Sequence, residues 1–406
     1  MKCTENHNYK GVRDPAADVW ILPIRLYTDA LSSAARYPPA LPHTRVRRWR
    51  KNRPVSWGAP DGRRGRVRGA GRTMATGGAE LAARVLGGCR ASLARAVTLA
   101  ESRAPRDAPR AAALMQALAG AGAEGFRVGL AGPPGAGKST LVEALGLALV
   151  GRGTRTAVLA VDPSSERSGG SLLGDKTRMP QLGLHELAYV RPAPTAGVLG
   201  GVARATADSV AVCEAAGFQQ VLVETVGVGQ SETLVQDLVD VVVLVLPPAG
   251  GDELQGLKKG IVEAADVIAV NKADGDLERT ARQTSREYRS ALQFQRPRRA
   301  SWMPRVHAVS ARTGAGLQAL WESIEEARDA LEASGELQEQ RRAQRLRQMR
   351  AAAAEEVVER LWAADAAQRE LAALAAEVAA GSLAARAAAT RVAAAFCAEP
   401  GPGPAQ

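Results

Sequence analysis

Residues 126–145 read FRVGLAGPPGAGKSTLVEAL, and no other stretch restricts the fold as tightly. An apolar run, Phe126 to Ala131, leads into GPPGAGKST, Gly132 to Thr140, and a helix-like segment follows from Leu141. Strand, glycine-rich turn, Lys-Ser and helix follow one another as in the pattern G-x-x-x-x-G-K-[ST]. Gly132, Gly135 and Gly137 let the backbone bend until its N–H groups point inward, and the helix adds the positive end of its dipole. Such a nest suits phosphate oxygens. Gly132, Pro133, Pro134, Gly135, Ala136, Gly137, Lys138, Ser139 and Thr140 are therefore the candidate phosphate cradle. The Lys138 ammonium can reach β- and γ-phosphates, and the Ser139 hydroxyl can ligate Mg²⁺.

From Phe126 onward, short apolar runs alternate with helix-like segments. Strands are expected at 126–131, 156–162, 187–191, 219–224, 240–246, 266–271 and 305–310. Runs without polar alternation are buried on both faces, so the fold class is α/β, a P-loop domain with a mostly parallel sheet wrapped by helices. Ligands in such sheets bind beyond the carboxyl ends of the strands. Asp162, Glu224 and Asn271 each close an apolar strand there.

Four regions are expected. Residues 1–73 form a basic, disordered leader or transit peptide, and 74–122 an N-terminal helical region. The P-loop domain spans 123–320, and 321–406 form a helical dimerisation arm. Within 79–119, Pro105 and Pro109 separate two helices. In the arm, Glu336 to Arg350 reads as a solvated Gln/Arg-rich helix, and Gly381-Ser382 as a stop and N-cap before Leu383. The arm has too few large apolar residues to fold alone and should pack on the main domain or on a second copy.

The chain carries 53 Lys and Arg against 42 Asp and Glu, a net charge of +11. Residues 1–73 hold 16 of the basic and 5 of the acidic residues, which leaves 37 of each elsewhere. The working domain is neutral, so neither a nucleic-acid partner nor a membrane surface is expected for it. The longest apolar run, Val241 to Leu246, is far short of the ~18 residues of a membrane helix. An Arg-rich, acid-poor leader fits a mitochondrial transit peptide, although synthesis starting at Met74 would make it a non-native extension.

Asn271-Lys272-Ala273-Asp274 is an N-K-x-D motif at a strand end. A carboxylate at Asp274 can accept hydrogen bonds from guanine N1–H and N2 amino groups, which adenine does not offer. Ser310-Ala311-Arg312, closing the next strand, resembles an S-A-[KR] element that supports the same base. The expected cofactors are thus GTP or GDP with Mg²⁺. Candidate metal ligands are Ser139, Asp162 and Glu224, since Mg²⁺ takes one or two carboxylates besides water and phosphate oxygens. Gly227 could give its N–H to the γ-phosphate. Asp175, in a Gly/Ser-rich loop, could touch the metal or order a switch. No residue is an obvious base for the attacking water, which suggests slow hydrolysis until a partner reshapes the site. Pro247 to Lys259 reads as a switch or partner-contact loop.

GPPGAGKST, VLAVDPSS, SGGSLLGDKTRM, GGVARAT, VETVGVGQSE, LPPAGGDELQG, KKGI, NKADGDL and EYRSAL occur in order over about residues 80–335. Together they resemble the MeaB/ArgK-type GTPases, chaperones of cobalamin enzymes, and PPAGGDELQG looks most like the animal mitochondrial branch. The resemblance implies an adenosylcobalamin-dependent methylmalonyl-CoA mutase as partner. GTP hydrolysis would gate loading of its cofactor and its protection or reactivation. It also implies Lys138, Asp175, Glu224 and Lys258 as catalytic residues, a homodimer through the C-terminal helices, and a mitochondrial matrix location, with the cytoplasm as alternative. The chain departs from the family at Arg341 to Ala354, an Arg/Gln/Ala run without Trp. The remaining readings are a P-loop small-molecule kinase, a nucleotide-gated scaffold without useful turnover, and nucleic-acid binding by the leader.

Overall fold

The computed structural model describes residues 76–121, 125–162, 179–194, 199–225, 235–248, 259–294 and 297–398. The basic leader expected at 1–73 lies outside them. The described strands are β1 (Phe126–Ala131), β2 (Thr156–Asp162), β3 (Ala188–Pro194), β4 (Gln220–Thr225), β5 (Val241–Leu246), β6 (Val267–Val270) and β7 (Arg305–Ala308). They form one sheet in the order β3-β2-β4-β1-β5-β6-β7, with every pairing parallel. Each lies where an apolar run is expected, with ends shifted by a few residues.

The alternation within these runs explains the layers, because successive side chains of a strand point to opposite faces. Val241, Val243 and Val245 enter the cluster under α4 (Lys138–Gly151) and α9 (Leu317–Ser334). Val242, Leu244 and Leu246 enter the opposite cluster, with α6 (Leu199–Ala215) and α8 (Glu278–Leu292); the short helices α5 (Pro180–Leu184) and α7 (Lys259–Ala264) respectively precede these two in the chain. Burial on both faces is why β4 and β5 lack polar alternation. Each such Val or Leu contributes roughly 1.5–3 kcal/mol. On the α9 side this core runs on through Trp321, Ile324, Leu331 and Leu337.

Three helices precede the sheet where two are expected: α1 (Thr76–Leu86), α2 (Arg90–Glu101) and α3 (Ala108–Leu118). The extra break is made by Gly88, at φ 78°, with Gly88 N donating to Val85 O (2.9 Å) and Cys89 N to Arg84 O (3.1 Å). That is a left-handed helix stop, for which glycine has no steric penalty.

After α9 come α10 (Glu336–Ala363), α11 (Asp365–Ala379) and α12 (Ala385–Ala398). The expected solvated helix at 336–350 is only partly so. Arg341 and Gln344 are buried, 6% and 1% exposed. Arg341 Nε and Nη2 donate to the two oxygens of fully buried Asp240, at 2.8 and 2.6 Å, and Nη2 also reaches Gly125 O at 2.7 Å. A buried charge needs such a partner, and removing one partner costs about 3–5 kcal/mol. Further on, Ser382 does not cap α12. Its hydroxyl donates back to Glu377 O (3.0 Å) behind Gly381 at φ 74°, so it finishes α11. α11 and α12 share a small cluster of Ala367, Leu374, Ala388 and Val392. Among the described residues no helix is long and apolar enough to cross a membrane.

Candidate functional site

The sheet order reverses at β1, which received neighbours on both sides, and the turn after β1 is GPPGAGKST. Gly132 has φ 151°, and a Cβ there would stand 2.0 Å from Val245 O in the next strand. Gly137 has φ 86°, and a Cβ there would meet Asn271 Nδ2 at 2.6 Å. Only glycine lets the turn lie this close to β5 and to the residue after β6. Lys138 begins α4, is 7% exposed, and donates through Nζ to Gly132 O (2.8 Å) and Pro133 O (3.0 Å). Burial disfavours its charged ammonium and lowers its pKa below the ordinary lysine value, while the negative charge of Glu224 opposes the shift.

Parallel pairing of β1 with β4 sets Leu130 beside Glu224. The next residues of the P-loop therefore fold back over Glu224, and Ser139 Oγ donates to its Oε1 at 2.6 Å. The carboxylate is buried, 7% exposed. A hydroxyl and a carboxylate in contact at the sheet's carboxyl end form an oxygen-only donor pair, which fits a hard cation such as Mg²⁺. Asp162 closes β2, in the strand adjacent to β4, so the backbone brings it to the same end of the sheet. Asp175, Gly227 and Lys258 lie outside the described residues, as does most of the loop from Pro247 to Lys259.

The N-K-x-D residues meet the S-A-R residues at the ends of β6 and β7. Asp274 Oδ1 accepts from Ser310 Oγ (2.7 Å), and Oδ2 pairs with Arg312 (2.7 Å), whose side chain is largely exposed. Ser310 is fully buried, and its Oγ accepts from Thr313 N at 3.1 Å, so the hydroxyl is fixed in both senses. Lys272 is the one non-glycine residue with positive φ, 60°, among the described residues, a strain of roughly 1–2 kcal/mol. After that turn Ala273 N donates to Val309 O (2.9 Å), locking the segment to the residue that follows β7.

Asn271 has a role that its motif alone does not reveal. Its Nδ2 donates to Ala136 O (2.9 Å) and Gly137 O (3.3 Å), and its Oδ1 accepts from Ala311 N (3.1 Å). It thus ties the phosphate loop to the S-A-R element, spanning the gap between the expected phosphate and base subsites. Strand order holds the signal: β1 and β6 are separated only by β5, which brings the loops after them together. The structure therefore assembles Lys138, Ser139 and Glu224 at one subsite, and Asp274, Ser310, Ala311 and Arg312 at a second, with Asn271 between.

A family model described as "Methylmalonyl Co-A mutase-associated GTPase MeaB" matches residues 93–366. A Mycobacterium tuberculosis protein named "Probable GTPase" is 49% identical over 283 residues, covering 70% of this chain and 84% of its own. The mouse protein "Methylmalonic aciduria type A homolog, mitochondrial" is 51% identical over 267 residues, covering 63% of this chain and 64% of its own. A solved structure titled as a LAO/AO transport system kinase superposes with a TM-score of 0.60 at 36% identity, over 79% of this chain and 97% of that one.

Proposed function

The chain belongs to the MeaB family of GTPases, and from that premise we propose that its GTP hydrolysis gates adenosylcobalamin loading into methylmalonyl-CoA mutase, and that enzyme's protection or reactivation. The observation that carries the hydrolytic part is the contact of Ser139 with Glu224 beside Lys138. In this reading the P-loop amides and Lys138 hold the β- and γ-phosphates, and Asp274, backed by Ser310, takes the guanine edge. Ser139 and Glu224, with Asp162 as the second carboxylate, would hold Mg²⁺. When bound, it supplies positive charge against the phosphate oxygens. Catalysis then rests on position and charge neutralisation more than on a proton-accepting side chain. Asp175, Gly227 and Lys258 enter as proposed contacts of the nucleotide and its switch loops.

The family match and the mouse relative's name support the mutase as partner. Exposed apolar residues on the C-terminal helices, Leu346, Met349, Val357, Val358, Trp362 and Leu371, support self-association through that arm. The mitochondrial name of the mouse relative favours a matrix location, and the bacterial relatives favour the cytoplasm as alternative. One observation favours a second reading: the solved relative's title calls it a kinase. The Asp274–Ser310 pair speaks for guanine selection instead, and competition of GTP against ATP decides between the two.

The test of the mutase reading is capture of methylmalonyl-CoA mutase by the full chain loaded with GDP or with a non-hydrolysable GTP analogue. Capture that differs between the two nucleotides supports it. Absence of capture with either removes the mutase and leaves the GTPase.

A further inference from the structure

One polar face of α10 is turned onto the residues that lead into β5. Gln340 Nε2 donates to Val239 O (2.7 Å) and Asp240 O (3.4 Å). Gln344 Nε2 donates to Gln236 O (2.8 Å) and Val239 O (2.7 Å), and Gln348 Nε2 to Asp237 O (2.9 Å). Arg347 pairs with Asp237 (2.8 Å), and Arg341 holds Asp240 as described above. Positions 340, 344, 347 and 348 follow helical spacing, so these donors form a row along one face. All of them end on residues 236–240.

The other side of that short segment is pressed onto β1. Gly129, in the middle of β1, has no side chain where Val235 and Val239 sit. A Cβ there would stand 2.9 Å from a methyl of each. Asp240 Oδ2 also accepts from Arg127 N (2.8 Å), and Asp240 N donates to Arg127 O (2.9 Å). Both contacts lie at the start of β1. The opposite end of β1 becomes the P-loop, and its Leu130 pairs with Glu224. A continuous chain of contacts therefore runs from α10 through residues 236–240 to the strand that carries Lys138 and Ser139.

The chemistry of the row is not that of a packing face. Gln340 and Gln344 keep their amide nitrogens on carbonyls while each buried amide oxygen has no partner among the described residues. Buried amide oxygens without partners are costly, and the glutamines are kept in spite of that cost because their Nε2 groups supply donors to the carbonyls of Gln236, Val239 and Asp240. Apolar contacts do not fix where a backbone lies along its own direction. Hydrogen bonds to successive carbonyls do.

We propose that Gln340, Arg341 and Gln344 are positioning residues for GTP hydrolysis: they fix Gln236–Asp240 and, through it, the alignment of β1 that brings Ser139 and Lys138 against Glu224. The inference rests on GTP hydrolysis and is independent of the mutase reading.

The test uses the full-length Gln340→Leu/Gln344→Leu double variant, with the single Gln344→Leu variant in reserve if the pair does not purify folded. Three quantities are read: the melting temperature, the Kd for GDP and for a non-hydrolysable GTP analogue, and the single-turnover rate of phosphate release per bound GTP. The expected result is a cooperative melt, Kd values within about threefold of the parent, and a single-turnover rate lowered about tenfold or more. Arg341→Lys, which keeps the charge but loses the fork, should fall between parent and double variant. An unchanged rate per bound GTP overturns the proposal, whatever the melting temperature does. A rate that falls only in proportion to nucleotide affinity also overturns it.

Discussion

Asn271 donates its side-chain amide to Ala136 O at 2.9 Å, across 135 residues, and accepts from Ala311 N with the same side chain. One residue thereby ties the P-loop to the S-A-R element, and so sets the spacing between the proposed phosphate and base subsites.

Replacing that residue tests the bracket. Asn271→Ala removes three side-chain hydrogen bonds, two of them to the P-loop. At roughly 1 kcal/mol each, about 3 kcal/mol is at stake, so GDP and GTP binding should weaken by up to about 150-fold, and the melting temperature of the nucleotide-free protein should fall as well. Titration with a fluorescent guanine nucleotide and a thermal melt read both. Unaltered affinity would mean that the loops find their spacing without Asn271.

The proposed base selection rests on Asp274. In Asp274→Asn, an amide N–H would face the guanine N–H groups from which the carboxylate is proposed to accept, so GTP affinity should fall about 100-fold or more. Xanthosine triphosphate, which carries a carbonyl where guanine carries its amino group, should gain relative to GTP. Competition among GTP, xanthosine triphosphate and ATP measures the change. Equal competition by ATP against the parent protein would favour the kinase reading instead.

Glu224→Gln removes the charge that faces Ser139 while keeping its shape. We expect GDP binding without Mg²⁺ to change little. The Mg²⁺ concentration needed for half-maximal hydrolysis should rise, and the rate at saturating Mg²⁺ should fall by about 10²-fold or more. Phosphate release across a Mg²⁺ titration provides the reading. A parent-like Mg²⁺ dependence would remove Glu224 from the metal site.

A pH effect is expected where α10 crosses α6. Asp208 lies beside the Arg204–Glu355 pair (2.7 Å), and burial pushes its carboxyl up to about 6, with Glu355 adding to the shift and Arg204 opposing it. A carboxyl whose pKa is raised on folding binds more protons when folded. Its contribution therefore destabilises the fold as pH rises from about 4 to about 6, and the penalty stays in place above that range. Asp208→Asn should raise stability at pH 8 by about 1 kcal/mol, a figure reduced from the full shift because the group is partly exposed. At pH 4 the gain should largely vanish. Denaturant unfolding at both pH values measures it.

The sheet was legible because its strands are buried on both faces, and only long apolar runs such as Val241 to Leu246 satisfy that requirement. The P-loop and N-K-x-D were legible because their chemistry needs particular residue types at close spacing. The face of α10 was not. Arg341 and Gln344 read as solvated residues because composition assigns charge and amides to water, and only the third dimension shows Asp240 and Val239 waiting as their partners. The break at Gly88 is hidden for a related reason: a helical pattern on both sides masks a stop that one left-handed residue makes. Ser382 has the composition of an N-cap, but the hydroxyl found the nearer carbonyl, that of Glu377. The bracket at Asn271 needed the strand order, which a motif does not contain.

The proposed service to a cobalamin mutase is tested by single-turnover phosphate release from GTP bound to the full-length protein, with and without methylmalonyl-CoA mutase. We expect slow release alone and a rate raised about tenfold or more by the mutase, with Glu224→Gln slow in both cases. Release that is fast without the mutase, or that the mutase leaves unchanged, would contradict it.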